Sequence, residues 1–237
     1  MQYCFHHIPK TAGSSLQLRL AHREYIGELP NGSTLVVYPL YDEMRYYRVS
    51  DDTEFDPQQP IKKAFLRTYK KPRTEGNATI VSGHYTNISQ PGKHYVWLRE
   101  PLARDVSHFN YDCKYKNELS RDFTRHLSQM SGNFLVLWLF GKYIGRHDSV
   151  SMEERYNAVK KVLKEKFYRV YDSDKFEDSW TDICDELKIS CDPRLNSNQS
   201  DKDYQKIQKY SDLSEEFKKW HRSYNHFDYL LYEEFCA

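Results

Sequence analysis

The stretch FHHIPKTAGSSLQLRL, residues 5–20, decides the fold class. An apolar strand end runs into Pro-Lys-Thr-Ala-Gly-Ser-Ser, and a helix-forming segment follows at once. The pattern predicts a strand over about 2–7, a loop over 8–14 and a helix over about 14–24, closed by Gly27 and the turn LPNGS. A helix that starts on a small-residue loop directs free backbone amides and the positive end of its dipole at one spot, and Lys10 adds a full charge there. The chemistry suits a phosphate-like anion; a plain strand-to-helix turn with a capping serine accounts for the same residues. The loop is not a Walker A sequence, because Lys10 precedes Gly13 instead of following a glycine.

Strand signals recur at TLVVY (34–38), ATIVSGHY (78–85), HYVWLRE (94–100) and YRVYD (168–172), with helical segments between them. Residues 39–76 are polar and rich in Tyr and Pro, with a helix expected near 58–70. Pro101 costs little at a helix start, where first-turn amides have no intrahelical partner. Helices are expected from there to about 117 and over 119–131. Ser151 and Glu154 form a capping-box pattern ahead of Met152, Tyr156, Val159 and Leu163 at helical spacing. Phe176, Trp180, Ile183 and Leu187 line one face of a further helix, and Leu213, Phe217, Trp220 and Tyr224 of another. The alternation predicts an α/β domain with a central parallel sheet flanked by helices, a single domain over 1–237.

The totals exclude several classes. The 35 basic and 34 acidic side chains leave +1, so global charge gives no case for nucleic acid or a membrane surface as partner. The longest apolar run, Phe134 to Phe140, is far shorter than the ~20 residues of a membrane span and is expected to be core. Five cysteines without CxxC spacing argue against a disulfide framework and a cysteine zinc site. The chain as given opens without an export signal, which reads as cytoplasmic. Asn-x-Ser/Thr triplets at Asn31, Asn77, Asn87 and Asn198 fit a lumenal origin, in the Golgi, if a longer precursor exists.

Two further groups could carry chemistry. In VWLREPLARDVSHFNY (96–111), Arg99 at a strand end and Ser107 eight residues on come within reach of one ligand, and a guanidinium fork and a hydroxyl suit phosphate oxygens. A surface arginine and a solvated helix face are the plain alternative. In SGHY (82–85), His84 stands at the end of an apolar strand, where α/β sheets bind ligands, and an imidazole suits a general base near neutrality. A structural histidine is the alternative there. His6 and His7 are read as structural strand-end residues.

FHHIPKTAGSS, SGHY, VWLREPLARDVSHFNY and RLNSNQS follow the order found in sulfotransferases that use 3′-phosphoadenosine 5′-phosphosulfate (PAPS), and the chain resembles the carbohydrate group that includes heparan sulfate 2-O-sulfotransferases. The resemblance implies a P-loop-like fold. It implies that Lys10, Thr11, Ala12, Gly13, Ser14 and Ser15 wrap the 5′-phosphosulfate, with Lys10 also catalytic at the bridging oxygen. Arg99 and Ser107 would hold the 3′-phosphate, and His84 would be the catalytic base toward a carbohydrate or small-molecule hydroxyl. No metal is implied. Ala12 stands where the family often has glycine, Glu100 where aspartate is frequent, and Ser82 where the 2-O-sulfotransferases carry a further histidine. A nucleotide-dependent kinase and a non-catalytic nucleotide or glycan-binding module are the rival readings. The basic cluster Lys62, Lys63, Arg67, Lys70, Lys71 and Arg73 could line a groove for an anionic glycan or form a solvated face.

Overall fold

The computed structural model describes residues 1–20, 28–29, 33–38, 45–48, 79–84, 86–115, 122–145, 149–191 and 207–236. In chain order its main elements are β1 (Tyr3–His6), α1 (Gly13–Leu20), β2 (Thr34–Tyr38), β3 (Arg45–Arg48), β4 (Ile80–Gly83), β5 (Lys93–Leu98), α2 (Pro101–Tyr115), α3 (Phe123–Ser128), α4 (Phe134–Tyr143), α5 (Met152–Lys166), β6 (Arg169–Asp172), α6 (Phe176–Leu187), α7 (Glu215–Tyr224) and α8 (His226–Cys236). The helix expected near 58–70, the basic cluster, Tyr85 and the RLNSNQS segment lie outside the described residues. The chain divides into two compact units: Met1–His7, Ala12–Trp97 and Lys175–Gln199 in the first, Ile8–Thr11, Leu98–Asp174 and Ser200–Ala237 in the second.

The first unit is built on a sheet in the order β3-β2-β4-β1-β5. Strands β2, β4, β1 and β5 are parallel, and β3 joins β2 antiparallel. The fold is therefore α/β, with a four-stranded parallel sheet flanked by helices. Strand β3 (RYYR) was not legible in the polar segment that holds it, since it lacks the buried β-branched run of its neighbours. Strand β1 is the axis, buried along Cys4, Phe5 and His6, as a central parallel strand covered on both faces must be.

Helix α6 covers β5 through the stripe foreseen from its spacing. The Trp97 indole N–H donates to Ser179 Oγ at 2.9 Å, and its ring lies 6.1 Å from that of Phe176. Arg19 of α1 is buried and reaches the Glu177 carboxylate at 2.6 Å, its guanidinium 4.9 Å from the Phe176 ring and 5.4 Å from the Trp180 ring. The return from β4 to β5 passes close to the start of β1. Lys93 N donates to the Gln2 carbonyl at 2.9 Å, and Gly92, at φ +134°, leaves no room for a side chain, because a Cβ would stand 2.4 Å from the Gln2 oxygen.

In the second unit α2 starts as Pro101 foretold. Glu100 caps it, its carboxylate accepting from the Ala103 amide at 2.6 Å, so glutamate does the capping work of the shorter aspartate. Helix α3 is shorter than the 119–131 expected, because the Asp122 side chain accepts from the Arg125 amide at 3.1 Å and fixes the start. The run Phe134 to Phe140 is the body of α4, with Leu135, Val136, Leu139 and Phe140 buried. The capping box at Ser151 and Glu154 forms as its sequence pattern predicts.

Helices α4 and α8 cap one another. Asp228 of α8 accepts from the Leu135 and Val136 amides at 2.8 and 2.9 Å, and Asn133 Oδ1 accepts from the Phe227 and Asp228 amides at 2.8 and 3.2 Å. Beside them Arg104 pairs with Asp105, and the same aspartate lies 2.9 Å from His221 Nε2. Arg104 and Asp105 thus offset one another's charge where burial makes a lone ion costly.

Candidate functional site

In the first unit the register of the sheet sets the geometry. His6 lies opposite Gly83 and the strands are parallel, so the next residues, His7 and His84, leave the sheet side by side. Strand β1 sends the chain on toward β2 and β4 toward β5, opposite ways along the sheet, and C-terminal strand ends at such a reversal are where open α/β sheets bind ligands.

The two imidazoles stack, with ring centroids 4.1 Å apart and planes 20° from parallel. His7 is buried, whereas His84 is half-buried. His7 also faces the start of α1: a Cβ on Gly13 would meet its Cδ2 at 2.0 Å. Gly13 is thus needed for the space it leaves, and the loop glycine, His7 and His84 form one packed column. His7 supplies a second imidazole beside the candidate base, from a position the sequence marked only as a strand end. Ser82 is buried and accepts from Gln17 Nε2 at 3.4 Å.

His6 has the structural place expected of it. Its Nε2 is 2.8 Å from His94 Nδ1, and His94 Nε2 is 2.9 Å from the Gln90 carbonyl. Burial lowers the His94 pKa and favours its neutral form. Gly13, Ser14 and Ser15 make the first turn of α1, and the Leu16 amide reaches back to the Ala12 carbonyl at 3.1 Å. Ser15 is buried.

The loop itself has an unusual backbone. Lys10 and Ala12 both take left-handed φ values, +70° and +65°, which cost an L-residue roughly 1–2 kcal/mol each. A glycine in place of Ala12 would adopt this conformation without that cost, so the backbone at Ala12 is strained.

In the second unit Thr11 is buried, and its hydroxyl donates to the Ile8 carbonyl at 3.1 Å, closing the loop on itself. The Lys10 ammonium sits 3.8 Å from the centre of the Tyr111 ring, a cation–π contact. Arg99 donates from Nη1 to the Lys10 carbonyl at 3.4 Å, and its Nε lies 3.6 Å from Asp174 Oδ1. Arg99 and the lysine of the loop, far apart in sequence, are therefore brought together. Ser107 is half-buried on α2, about 9 Å of helix rise beyond Pro101. Tyr111 and Asp174 are contributors that sequence reasoning missed. Tyr111 lies one helical turn beyond Ser107, a spacing that could have marked it as a neighbour on the same face.

No protein-family model matches the chain, no curated protein matches its sequence, and no solved structure matches its fold. Among the described residues no helix is long and apolar enough to cross a membrane.

Proposed function

We propose that the protein is a PAPS-dependent O-sulfotransferase of P-loop-like fold, transferring a sulfuryl group to a hydroxyl of a carbohydrate. The observation that carries this reading is the hydrogen bond from Arg99 to the Lys10 carbonyl, which brings the guanidinium to the lysine of the loop. Loop amides and the Lys10 ammonium suit the 5′-phosphosulfate, and a guanidinium with a hydroxyl suits the 3′-phosphate that ATP lacks. The half-buried imidazole of His84, fixed against His7, suits a base that must point one nitrogen at an acceptor.

In the proposed reaction the acceptor oxygen attacks sulfur in line. The bond from sulfur to the bridging phosphate oxygen breaks, and His84 takes the hydroxyl proton. The products are the sulfate ester and 3′-phosphoadenosine 5′-phosphate (PAP). Lys10 leaves the Tyr111 face to meet charge that grows on the bridging oxygen, an interaction strongest in the transition state. As in phosphoryl transfer, positioning and electrostatics do most of the work.

Calorimetric titration with PAP and with ATP tests the donor assignment, PAP being expected to bind and ATP to bind far more weakly. Arg99→Ala should weaken PAP binding by roughly 2–5 kcal/mol, the usual cost of truncating one partner of a buried charge pair. Equal affinity for the two nucleotides, or an unchanged PAP affinity in Arg99→Ala, would refute the 3′-phosphate role. ATP preference would instead favour a kinase.

A further inference from the structure

The second unit holds a group of side chains that sulfuryl transfer does not use. Helix α2 carries His108 and Asp112 at the i,i+4 spacing that puts two side chains on one face, and α3 brings His126 to them. Each offers one ligand atom, and the three atoms lie within 4.8 Å of one another. His108 Nε2 is 3.5 Å from Asp112 Oδ2, and the rings of His108 and His126 meet edge to face, 5.5 Å apart. His126 and Asp112 are buried. The site backs onto an apolar cluster of Leu102, Val106, Phe109, Phe123 and Leu127, and His126 packs on Phe109 at 5.3 Å.

We propose that His108, Asp112 and His126 bind a divalent transition-metal ion, with Zn²⁺ the best fit, which fastens α2 to α3. The ion pair joins His108 and Asp112 on α2, and a third ligand from α3 would fasten the second helix to them. Two imidazoles and one carboxylate suit zinc and its neighbours, not the hard cations that prefer oxygen alone. Zinc bonds of about 2.0–2.2 Å place tetrahedral ligand atoms roughly 3.3 Å apart. The His108 and Asp112 atoms already stand near that spacing, and the widest of the three separations needs to close by at most about 1.5 Å, within reach of side-chain rotation. His108, 23 % exposed, gives the ion a way in, and water would complete the coordination. The apolar wall behind the ligands excludes solvent and strengthens the bonds. Ser107 and Tyr111 lie between and beside the ligands on α2, so the same ion would steady the helix that carries them.

The test uses the untagged full chain, stripped by a chelator and dialysed, titrated with ZnCl₂ by calorimetry and with CoCl₂ by visible absorption. One Zn²⁺ per chain is expected, with an intense Co²⁺ spectrum of tetrahedral type and a rise in melting temperature on metal addition. Asp112→Asn and His126→Gln should each weaken Zn²⁺ binding by roughly 100-fold or more, at or above the upper end of the 10- to 100-fold typical of outer partners. The near-isosteric Asp112→Asn keeps the test decisive should His126→Gln fail to fold. Cys113→Ser should bind as the parent does. Absence of saturable Zn²⁺ binding, binding unchanged in Asp112→Asn, or loss of binding in Cys113→Ser would each overturn the assignment.

Discussion

At the scale of single residues, Gly13 has no room for a side chain unless a neighbour moves. Its hydrogen leaves the space that the His7 ring fills, so Gly13→Ala must push either the ring or the first turn of α1 aside. An overpacking cost of about 1–3 kcal/mol in stability is expected by chemical denaturation. Turnover should fall further than that loss explains, because the displaced ring is the one His84 stacks on. Lys142 makes a prediction of a different kind. Its ammonium lies over the rings of Trp138 and Tyr143, at 4.5 and 5.1 Å, and burial lowers its pKa from 10.5 to about 7. The unfolded chain binds the proton more tightly, so this group adds stability as pH rises from about 7 to 10.5 and withholds it below. Lys142→Met should therefore gain about 1–3 kcal/mol near pH 7, with the gain fading toward pH 10, in paired melts of mutant and parent. A constant difference across that range would sink the assignment. Lys10, His84, Arg99 and Ser107 were all legible as candidates from residue type and position at strand ends and in the loop. His7, Tyr111 and Asp174 were not, because their roles come from contacts across elements that no local pattern encodes.

At the scale of elements, the exchange between α4 and α8 is the clearest dependence of one helix on another. The Asp228 carboxylate satisfies two amides at the start of α4, and Asn133 returns the service to α8. Asp228→Ala would orphan two buried donors, at about 1–3 kcal/mol each, and urea unfolding should show a loss of roughly 2 kcal/mol or more. Asn133→Ala should cost less, since only the capping contribution of about 1 kcal/mol is at stake. An Asp228→Ala protein as stable as its parent would mean that water replaces the carboxylate. The elements most legible in sequence were those with strong local signals: the β-branched strands, Pro101 at the start of α2, the Ser151 capping box and the aromatic stripe of α6. The start of α3 shifted to Asp122, where one side-chain hydrogen bond outweighs the periodicity around it. Of the tail stripe, Phe217, Trp220 and Tyr224 lie in α7 and Leu213 precedes it, and Trp220 and Tyr224 are about half exposed and stack on each other at 5.5 Å.

At the scale of the whole molecule, the parallel sheet follows from the order of strands and helices, whereas its strand order does not. Nothing in the local sequence says that β1 lies between β4 and β5. That placement puts His7 beside His84, and with it the column that runs to Gly13. The most direct test is sulfuryl transfer from radiolabelled PAPS to a panel of polysaccharides and small hydroxylated compounds, run beside PAP calorimetry on the parent and on His84→Ala. The account predicts transfer by the parent, loss of transfer in His84→Ala by about 100-fold or more, and nearly equal PAP affinity in the two. Transfer at the parental rate by His84→Ala, or no PAP binding by the parent chain, would contradict it.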